Sequence, residues 1–327
     1  MSEAIPRRTF CGAAAASALT VGLPSAHAAS FPDRPLKLIV GFAPGGPTDA
    51  VAREFARRLE REIGQPVVVD NRPGAVQTVA MQAAISSGAD GYTLIIGNPG
   101  RFSVGPKMYR IVSYDSSQFV PLTPLTTQAS VLVASSSFPA SSFTELIKLA
   151  KTRKEPINYA SVGVGSSMHL AMEIFKKKSG LSAQHIPYKG EAPALMALLG
   201  KEIELGALTM FGAMPRIRSG ELKALGVLQA VPDPSLPQVQ TTAQAGYPDV
   251  DVTSWLGLFA PPKTPKDVTD RLETAARRVQ NSTEFAAYVT GNGMHPLAIE
   301  NKAFVAMIQK QTRQMGEIID AIALKPE

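Results

Sequence analysis

The sequence predicts an α/β fold of two lobes, each with a mostly parallel sheet flanked by helices. Short apolar strands alternate with helices along most of the chain, a pattern typical of such sheets. Two glycine-rich turns, Gly41–Asp49 and Ser161–Ser167, each join a strand to a helix. Two extended segments, near 120–134 and 248–260, separate the two α/β units and would carry the chain between lobes. A cleft between the lobes is therefore expected.

The first lobe opens with an apolar strand, a glycine turn and an amphipathic helix. Leu36–Val40 is too short for a helix and runs directly into the turn. Thr48 is the expected N-cap of a helix that closes at Gly64. A helix N-terminus presents unpaired N–H groups and a partial positive charge, and Gly45 and Gly46 keep side chains away from them. The turn is predicted to bind an anion.

The spacing of this turn also resembles a phosphate-binding P-loop. That motif requires a lysine to reach the outer phosphates, and this chain has Pro47 at the position. Nucleotide binding is therefore rejected. The alternative that stays open is a glycine turn that only joins the strand to the helix.

The next predicted strands of the first lobe end at the same edge of the sheet. Val67–Val69 and Tyr92–Ile96 are strands, with a helix at Gly74–Ile85 between them. Ligands of open α/β sheets gather outside the carboxyl ends of the strands. Gly45–Thr48 and Gly97–Arg101 are therefore expected to lie at one site.

The second lobe follows the same logic. Ser142 and Glu145 form a capping box that opens a helix. The strand Asn158–Ala160 leads into the serine-glycine turn, and a helix that starts at Ser166 or Ser167 would point its N-terminus at the same cleft. The remaining predicted elements are strands at His185–Tyr188, Ile203–Thr209, Ala224–Leu228 and Val250–Phe259, and helices at Glu191–Leu199, near Gly220 and from Thr264 to Ile322.

Residues 1–28 have the pattern of a cleaved export signal. Arg7 and Arg8 precede the apolar run Ala13–Leu23, and Ala26–Ala28 offers a small-x-small cleavage site. The order suits both the Sec and the twin-arginine (Tat) routes, so both stay open. Either route predicts a periplasmic protein.

The composition argues against several classes of protein. The formal net charge is +6 and aromatic residues make up only 6%, so we expect no nucleic-acid partner. After the signal, no stretch has the length and hydropathy of a membrane span. The one cysteine, Cys11, lies before the apolar run of the signal. The mature chain, beginning near Ala29, is thus expected to have no lipid anchor, disulfide or cysteine metal site.

A serine hydrolase is the enzymatic alternative, with Ser166 or Ser167 beside His169 or His185. The turn lacks the Gly-x-Ser-x-Gly elbow, and Ser167 and His169 are two positions apart on one helix, so they point apart. No acid is placed to orient either histidine. We therefore expect no enzymatic activity and interpret the histidines as packing or hydrogen-bonding residues.

No cofactor or metal is predicted. The Gly163-x-Gly165 pattern lacks the third glycine of a dinucleotide site, because Met168 stands there. The histidines after the signal are scattered without the spacing of metal ligands.

A family resemblance rests on six motifs. They stand in the order GFAPGGPTD, GQPVVVDNRPG, DGYTL, NYASVGVGSSMHL, PYKGEAPAL and SWLGLFAP. Together they resemble the Bug, or TctC-like, family of exported solute-binding proteins, many associated with tripartite tricarboxylate transporters. The resemblance covers residues 31–327. It implies a periplasmic-binding-protein (Venus flytrap) fold that closes on a small carboxylate, with residues 29–126 and 255–327 in lobe 1 and 127–254 in lobe 2.

The resemblance also implies ligand-binding residues. In the first lobe these are Phe42, Gly45, Gly46, Thr48, Asp49 and Asn98, and in the second Ser161, Gly165, Ser166 and Ser167. The chain departs from the family at Gly74–Thr78, at Arg101 and at Thr209–Ala213. We add Arg101 and Thr209 as candidate contacts. Arg101 could pair with a ligand carboxylate or lie on a solvated loop.

The implied partners are a small carboxylate and the large permease and small membrane subunit of a transporter. The alternative is a ligand-sensing partner of a membrane sensor kinase. We expect the protein to be a monomer.

Overall fold

A computed structural model of the chain describes residues 31–74, 77–104 and 114–321. The predicted export signal lies outside these residues. The strands are β1 Leu36–Val40, β2 Val67–Asn71, β3 Thr93–Gly97, β4 Val120–Gln128, β5 Ser130–Ser135, β6 Ile157–Ser161, β7 Ala183–Pro187, β8 Leu205–Thr209, β9 Leu222–Val227, β10 Ser254–Ala260 and β11 His295–Pro296. The α-helices are α1 Pro47–Ile63, α2 Thr78–Ser86, α3 Phe143–Thr152, α4 Ser167–Ser179, α5 Glu191–Leu199, α6 Met210–Arg218, α7 Lys266–Gln280, α8 Thr283–Gly291 and α9 Asn301–Ala321.

The strands form two sheets. The first has the order β11-β4-β10-β3-β1-β2 and the second the order β7-β6-β8-β5-β9. In the first, β1 pairs parallel with β2 and β3, while β10 pairs antiparallel with β3 and β4. In the second, β6 pairs parallel with β7 and β8, while β5 pairs antiparallel with β8 and β9.

The predicted two-lobed α/β class is confirmed, but each sheet is mixed rather than mostly parallel. The parallel pairs come from the consecutive strand–helix units, in which a crossover helix returns the chain to the same edge. The antiparallel pairs come from β5 and β10, which enter their sheets from the other lobe and run in the opposite direction, and from the short β11, which pairs with β4.

The chain crosses between the sheets at two neighbouring places. Strand β4 ends at Gln128 in the first sheet, and β5 begins at Ser130 in the second. Strand β10 lies beside β4, with Ser254 paired to Gln128 and Ala260 paired to Val120. The two crossings are thus adjacent, as a hinge requires, and the exact lobe boundaries remain predictions.

The last helix, α9, contacts both lobes. Phe304 near its start packs in an aromatic cluster of the first lobe, while Met315 and Ile319 belong to the core of the second. Between them, the Gln311 side chain accepts a 2.6 Å hydrogen bond from the Trp255 indole. A third element therefore spans the hinge, which the sequence did not indicate.

Helix starts follow local chemistry, with two differences from prediction. Gly46 is the N-cap of α1 and Pro47 its first residue, so Thr48 lies inside the helix; proline suits this position because the N–H it lacks would have no intrahelical partner. The predicted helical region begins at Lys266, with Pro265 as the N-cap of α7, rather than at Thr264. Ser142 caps α3 as predicted, its Oγ accepting from the Glu145 N–H over 3.2 Å.

Each lobe has its own apolar core. In the first, Phe55 of α1 and Phe285 of α8 meet edge to face, with ring centroids 5.7 Å apart. In the second, Phe143 of α3 and Phe175 of α4 are in contact, with centroids 4.7 Å apart. Within the described residues, no helix is both long and apolar enough to cross a membrane.

Candidate functional site

A cavity of about 760 Å³ lies between the two sheets, lined by residues of both lobes and of the crossing strands. The first lobe contributes the glycine turn and the Asn98–Arg101 segment, and the second contributes Val162–Met168, Pro187–Pro193 and Thr209. Gln128, Ser254 and Leu256 of the crossing strands also line it. Its size falls in the range of pockets for small molecules.

The two glycines of the first-lobe turn have different roles. Gly45 has φ +87°, a conformation that favours glycine, whereas Gly46 has φ −86° and ψ 172°, which any residue can adopt. A Cβ added at Gly46 would meet no atom within 4 Å. Since Gly46 lines the cavity, a side chain there would extend into ligand space rather than strain the backbone.

Asp49 closes the turn from inside. Its carboxylate accepts hydrogen bonds from the Gly45 N–H at 3.0 Å, from Arg53 Nε at 2.9 Å and from Asn71 Nδ2 at 2.9 Å. Burial alone would raise the pKa of Asp49, but these hydrogen bonds and the Arg53 charge hold it below its usual range. Neither Gly45 nor Asp49 is among the residues that line the cavity. Both therefore lie behind the turn, where their hydrogen bond stabilises it.

Asn98, at the end of β3, is joined to a residue that the sequence did not single out. Asn98 Nδ2 donates to Gln77 Oε1 over 2.8 Å, and both side chains line the cavity. Gln77 has φ +68°, rare for a residue with a side chain. Its side chain fills the space beside Gly41, where an added Cβ would lie 2.7 Å from Gln77 Cγ. The departure at Gly74–Thr78 was the only signal of this contact.

Arg101 lies in a short π-helical turn, Gly100–Val104, and lines the cavity. Only 1% of its surface is exposed, and its Nη1 donates to the Tyr114 hydroxyl over 3.3 Å. The solvated-loop alternative is therefore wrong. A contact between Arg101 and the ligand stays a prediction.

The second-lobe turn is held by side chains behind it. Ser166 caps α4, its Oγ accepting from the His169 backbone N–H at 3.2 Å. Ser161 Oγ accepts from the Gly163 N–H at 3.2 Å and lies 2.7 Å from His185 Nε2. Gly165, Ser166 and Ser167 line the cavity, while Ser161 does not. Ser161 is thus placed to shape the turn from behind.

His169 and His185 form a buried stacked pair under this turn. Their ring centroids are 3.9 Å apart, and His169 Nδ1 accepts from the Gly165 N–H at 3.1 Å. Burial lowers the pKa of His169 to about 4 and that of His185 to about 3, so both are neutral at physiological pH. Their ring nitrogens bond to Gly165 and Ser161 rather than activating Ser166 or Ser167.

Thr209 and Glu191 form the far wall on the second lobe. The Thr209 N–H donates to Glu191 Oε1 at 2.7 Å, and its hydroxyl lies 2.8 Å from both carboxyl oxygens. The same hydroxyl accepts from the Gly212 N–H at 3.1 Å and so caps α6. Thr209 therefore lines the cavity with its hydroxyl already engaged. Glu191 was missed, because one glutamate at the start of a helix is an ordinary sequence feature.

Metal ligands are not grouped in the part of the chain that the structure describes. No set of three His, Cys, Asp or Glu side chains there is arranged to hold an ion. The polar groups that line the cavity are hydroxyls, amides, backbone at helix starts, and the ionisable side chains of Arg101, Lys189 and Glu191.

Comparison with known proteins identifies relatives along nearly the whole chain. The family model "Tripartite tricarboxylate transporter family receptor" matches residues 51–324. A UPF0065 protein of Bordetella pertussis is 41% identical over 95% of this chain and 96% of its own length.

Solved structures of similar proteins also match this chain along most of its length. The periplasmic binding protein BugD is 31% identical, with a TM-score of 0.85 over 91% of this chain and 100% of BugD. An R. palustris protein with adipate is 30% identical, with a TM-score of 0.87 over 91% of this chain and all of the other. MatC from Rhodopseudomonas palustris, with bound malate, is 29% identical, with a TM-score of 0.81 over 89% of this chain and all of MatC.

Proposed function

This chain belongs to the tripartite tricarboxylate transporter receptor family, the Bug or TctC-like periplasmic solute-binding proteins, and we propose that it captures a small organic carboxylate in the cavity between its lobes and delivers it to a membrane transporter of that type. The observation that carries this proposal is that two helix N-termini, those of α1 and α4, meet one cavity from opposite lobes.

The chemistry of these helix ends favours an anion. The first N–H groups of a helix have no acceptor within it and carry the positive end of its dipole. A hydrogen bond to a charged acceptor contributes about 1.5–3 kcal/mol, against about 0.5–1.5 kcal/mol for a neutral one. A carboxylate, which has two acceptor oxygens and one charge, is the matching ligand group.

The proposed ligand contacts are those candidates that line the cavity. They are Phe42, Gly46, Thr48, Asn98, Arg101, Gly165, Ser166, Ser167 and Thr209. Gly45, Asp49 and Ser161 are proposed to act indirectly, because their polar atoms hold the two turns in shape. The ligands of the relatives, adipate and malate, are both dicarboxylates and are the first compounds to try.

The direct test is calorimetry of the purified protein with adipate, malate and the compound that is released when the protein is denatured. We expect at least one acid to bind and to be recovered unchanged. For the acid that binds, the monoamide should bind roughly 10- to 100-fold more weakly, about 1.4 kcal/mol per decade. Binding of the amide as tight as that of the acid would contradict an anion site, and chemical conversion of the ligand would favour an enzyme.

The partners and the route of export are part of the same proposal. We propose a large permease and a small membrane subunit as receivers of the ligand, with a membrane sensor kinase as the alternative. Residues 1–28 are proposed to direct export by the Sec or the Tat route, and the mature protein to be a periplasmic monomer. Crosslinking of the loaded protein in membranes would show which partner it contacts.

A further inference from the structure

Glu191 is a buried carboxyl group in the wall of the proposed ligand cavity. It is the first residue of α5, and only 7% of its surface is exposed. Its Oε1 packs against the first turn of α6, where a Cβ added at Gly212 would lie 2.2 Å from it. Helix α6 therefore closes off one side of the carboxyl group.

The only bonding partner of this carboxyl among the described residues is Thr209. The Thr209 N–H and hydroxyl both contact Oε1, and the hydroxyl also contacts Oε2. No lysine, arginine or histidine of the described chain forms an ion pair with it, although the other buried carboxylate at the site, Asp49, has Arg53. A buried carboxylate without a cation is costly, and such a group instead takes up a proton.

Charged groups near Glu191 do not offset the cost of burying an ionised carboxylate there. Helix α6 carries Arg216, which pairs with Glu221, and Arg218, which donates to the Gly291 carbonyl. Strands β5, β6 and β8, which pack on α5, contain no titratable side chain except Tyr159, and the cavity itself adds Lys189 and Arg101. The histidine pair, with Glu173 and Lys176, lies behind the Ser161–Ser167 turn. Burial raises the pKa of Glu191 to about 8, in spite of the hydrogen bonds from Thr209.

We propose that Glu191 is kept as a neutral carboxylic acid and donates its O–H to a carboxylate oxygen of the ligand from the second-lobe wall. This inference rests on the proposed carboxylate-binding function. Oε1 accepts from Thr209, which leaves the O–H on Oε2 able to turn toward a charged acceptor, the stronger partner. The cavity then selects acids whose second carboxylate reaches the second lobe, because the first-lobe turn holds the other one.

The protonation state can be measured without a ligand. In protein labelled with ¹³C at glutamate carboxyl groups, the NMR signal that disappears in Glu191→Gln reports Glu191. We expect its titration midpoint near pH 8, against about 4.3 for an ordinary glutamate. A midpoint below about 6 would overturn this inference and leave the proposed function intact.

Ligand binding supplies the second measurement. Adipate and malate are titrated by calorimetry at pH 6, 7 and 9 into wild type, Glu191→Gln and the control Glu204→Gln, a partly exposed glutamate paired with Arg153. If only the neutral acid binds, the apparent Kd of wild type rises about tenfold from pH 7 to pH 9. Glutamine keeps a carbonyl for Thr209 and an N–H for the ligand, so Glu191→Gln should bind at pH 6 and lose the pH dependence, while Glu204→Gln should follow wild type.

Three results would contradict the proposal. A flat wild-type profile would show that the protonation of Glu191 does not control binding. The same pH dependence in wild type and in Glu191→Gln would show that another group causes it. Loss of adipate and malate binding in folded Glu191→Gln at pH 6 would show that a neutral N–H donor at this position does not replace the carboxyl group. If neither acid bound at any pH, the proposed function would fail together with the ligand contact, while the NMR midpoint would still decide the protonation state.

Discussion

The carboxylate of Asp49 accepts a hydrogen bond from the backbone N–H of Gly45 over 3.0 Å, so the first-lobe turn is closed by the helix into which it leads. Asp49 also holds Asn71, whose amide donates to the Phe42 carbonyl on the other side of the turn. One side chain therefore fixes both ends of the turn.

We expect Asp49→Ala to destabilise the protein by about 1.5–3 kcal/mol, the usual contribution of hydrogen bonds to a charged group, and to weaken carboxylate binding. Because the pKa of Asp49 is lowered in the folded state, this contribution is present above the pKa of an unfolded aspartate, about 3.9, and is lost as pH falls through the folded pKa. Urea unfolding at pH 7 measures the contribution of Asp49 to the free energy of unfolding.

Arg53→Ala is the control. Arg53 is 54% exposed, so its removal should lower the free energy of unfolding by less than about 1 kcal/mol. Equal losses in the two variants would contradict the role given to Asp49.

Gly46→Val should abolish carboxylate binding without unfolding the protein. The backbone at Gly46 accepts any residue and an added Cβ meets no protein atom, so the new side chain occupies ligand space. Gly64→Val is the matched control at the other end of α1. Gly64 has φ +71°, so valine there should cost roughly 1 kcal/mol or more of stability and leave the affinity unchanged. Native affinity in a folded Gly46→Val protein would remove this turn from the site.

The histidine pair predicts a loss of stability in acid. Both pKa values are lowered in the folded state, so the unfolded chain binds more protons once pH falls below about 6.5. Each histidine should then lower the free energy of unfolding by up to about 1.4 kcal/mol per pH unit until its folded pKa is reached. His185→Phe keeps the stacking and removes one titrating group, so its stability should fall less steeply between pH 6.5 and 4. Parallel curves for the two proteins would contradict the burial argument.

Ligand should close the lobes about the crossings at Gln128–Ser130 and Thr253–Ser254. Adjacent short connections allow rotation at low cost, and an anion held by both turns stabilises the closed form. Small-angle scattering with saturating adipate or malate, whichever binds in calorimetry, should show a smaller radius of gyration. The C-terminal helix contacts both lobes and so limits this motion. An unchanged radius, in a protein that is not already closed without ligand, would count against a hinge.

The sequence by itself determined the elements and the family. Strands followed by glycine-rich turns, and the caps Ser142 and Ser166, depend on residues a few positions apart, so local pattern is sufficient to predict them. Six motifs in order indicated the family, which the comparisons confirm. The same local patterns placed a helix after each of the two turns, although the N-cap of α1 is Gly46 and not the predicted Thr48, and both turns line one cavity.

Only the tertiary structure decided which side chains meet at the cavity between the lobes. Gln77 and Asn98 are 21 positions apart and Glu191 and Thr209 are 18 apart, and these pairs are set by sheet order and helix packing, which no local period encodes. The structure likewise buried Arg101, whose charge alone suggested a solvated loop as readily as a site. A side chain's exposure, protonation state and partners depend on the low-dielectric surroundings that distant segments assemble, and that is why they follow from the fold and not from the sequence pattern.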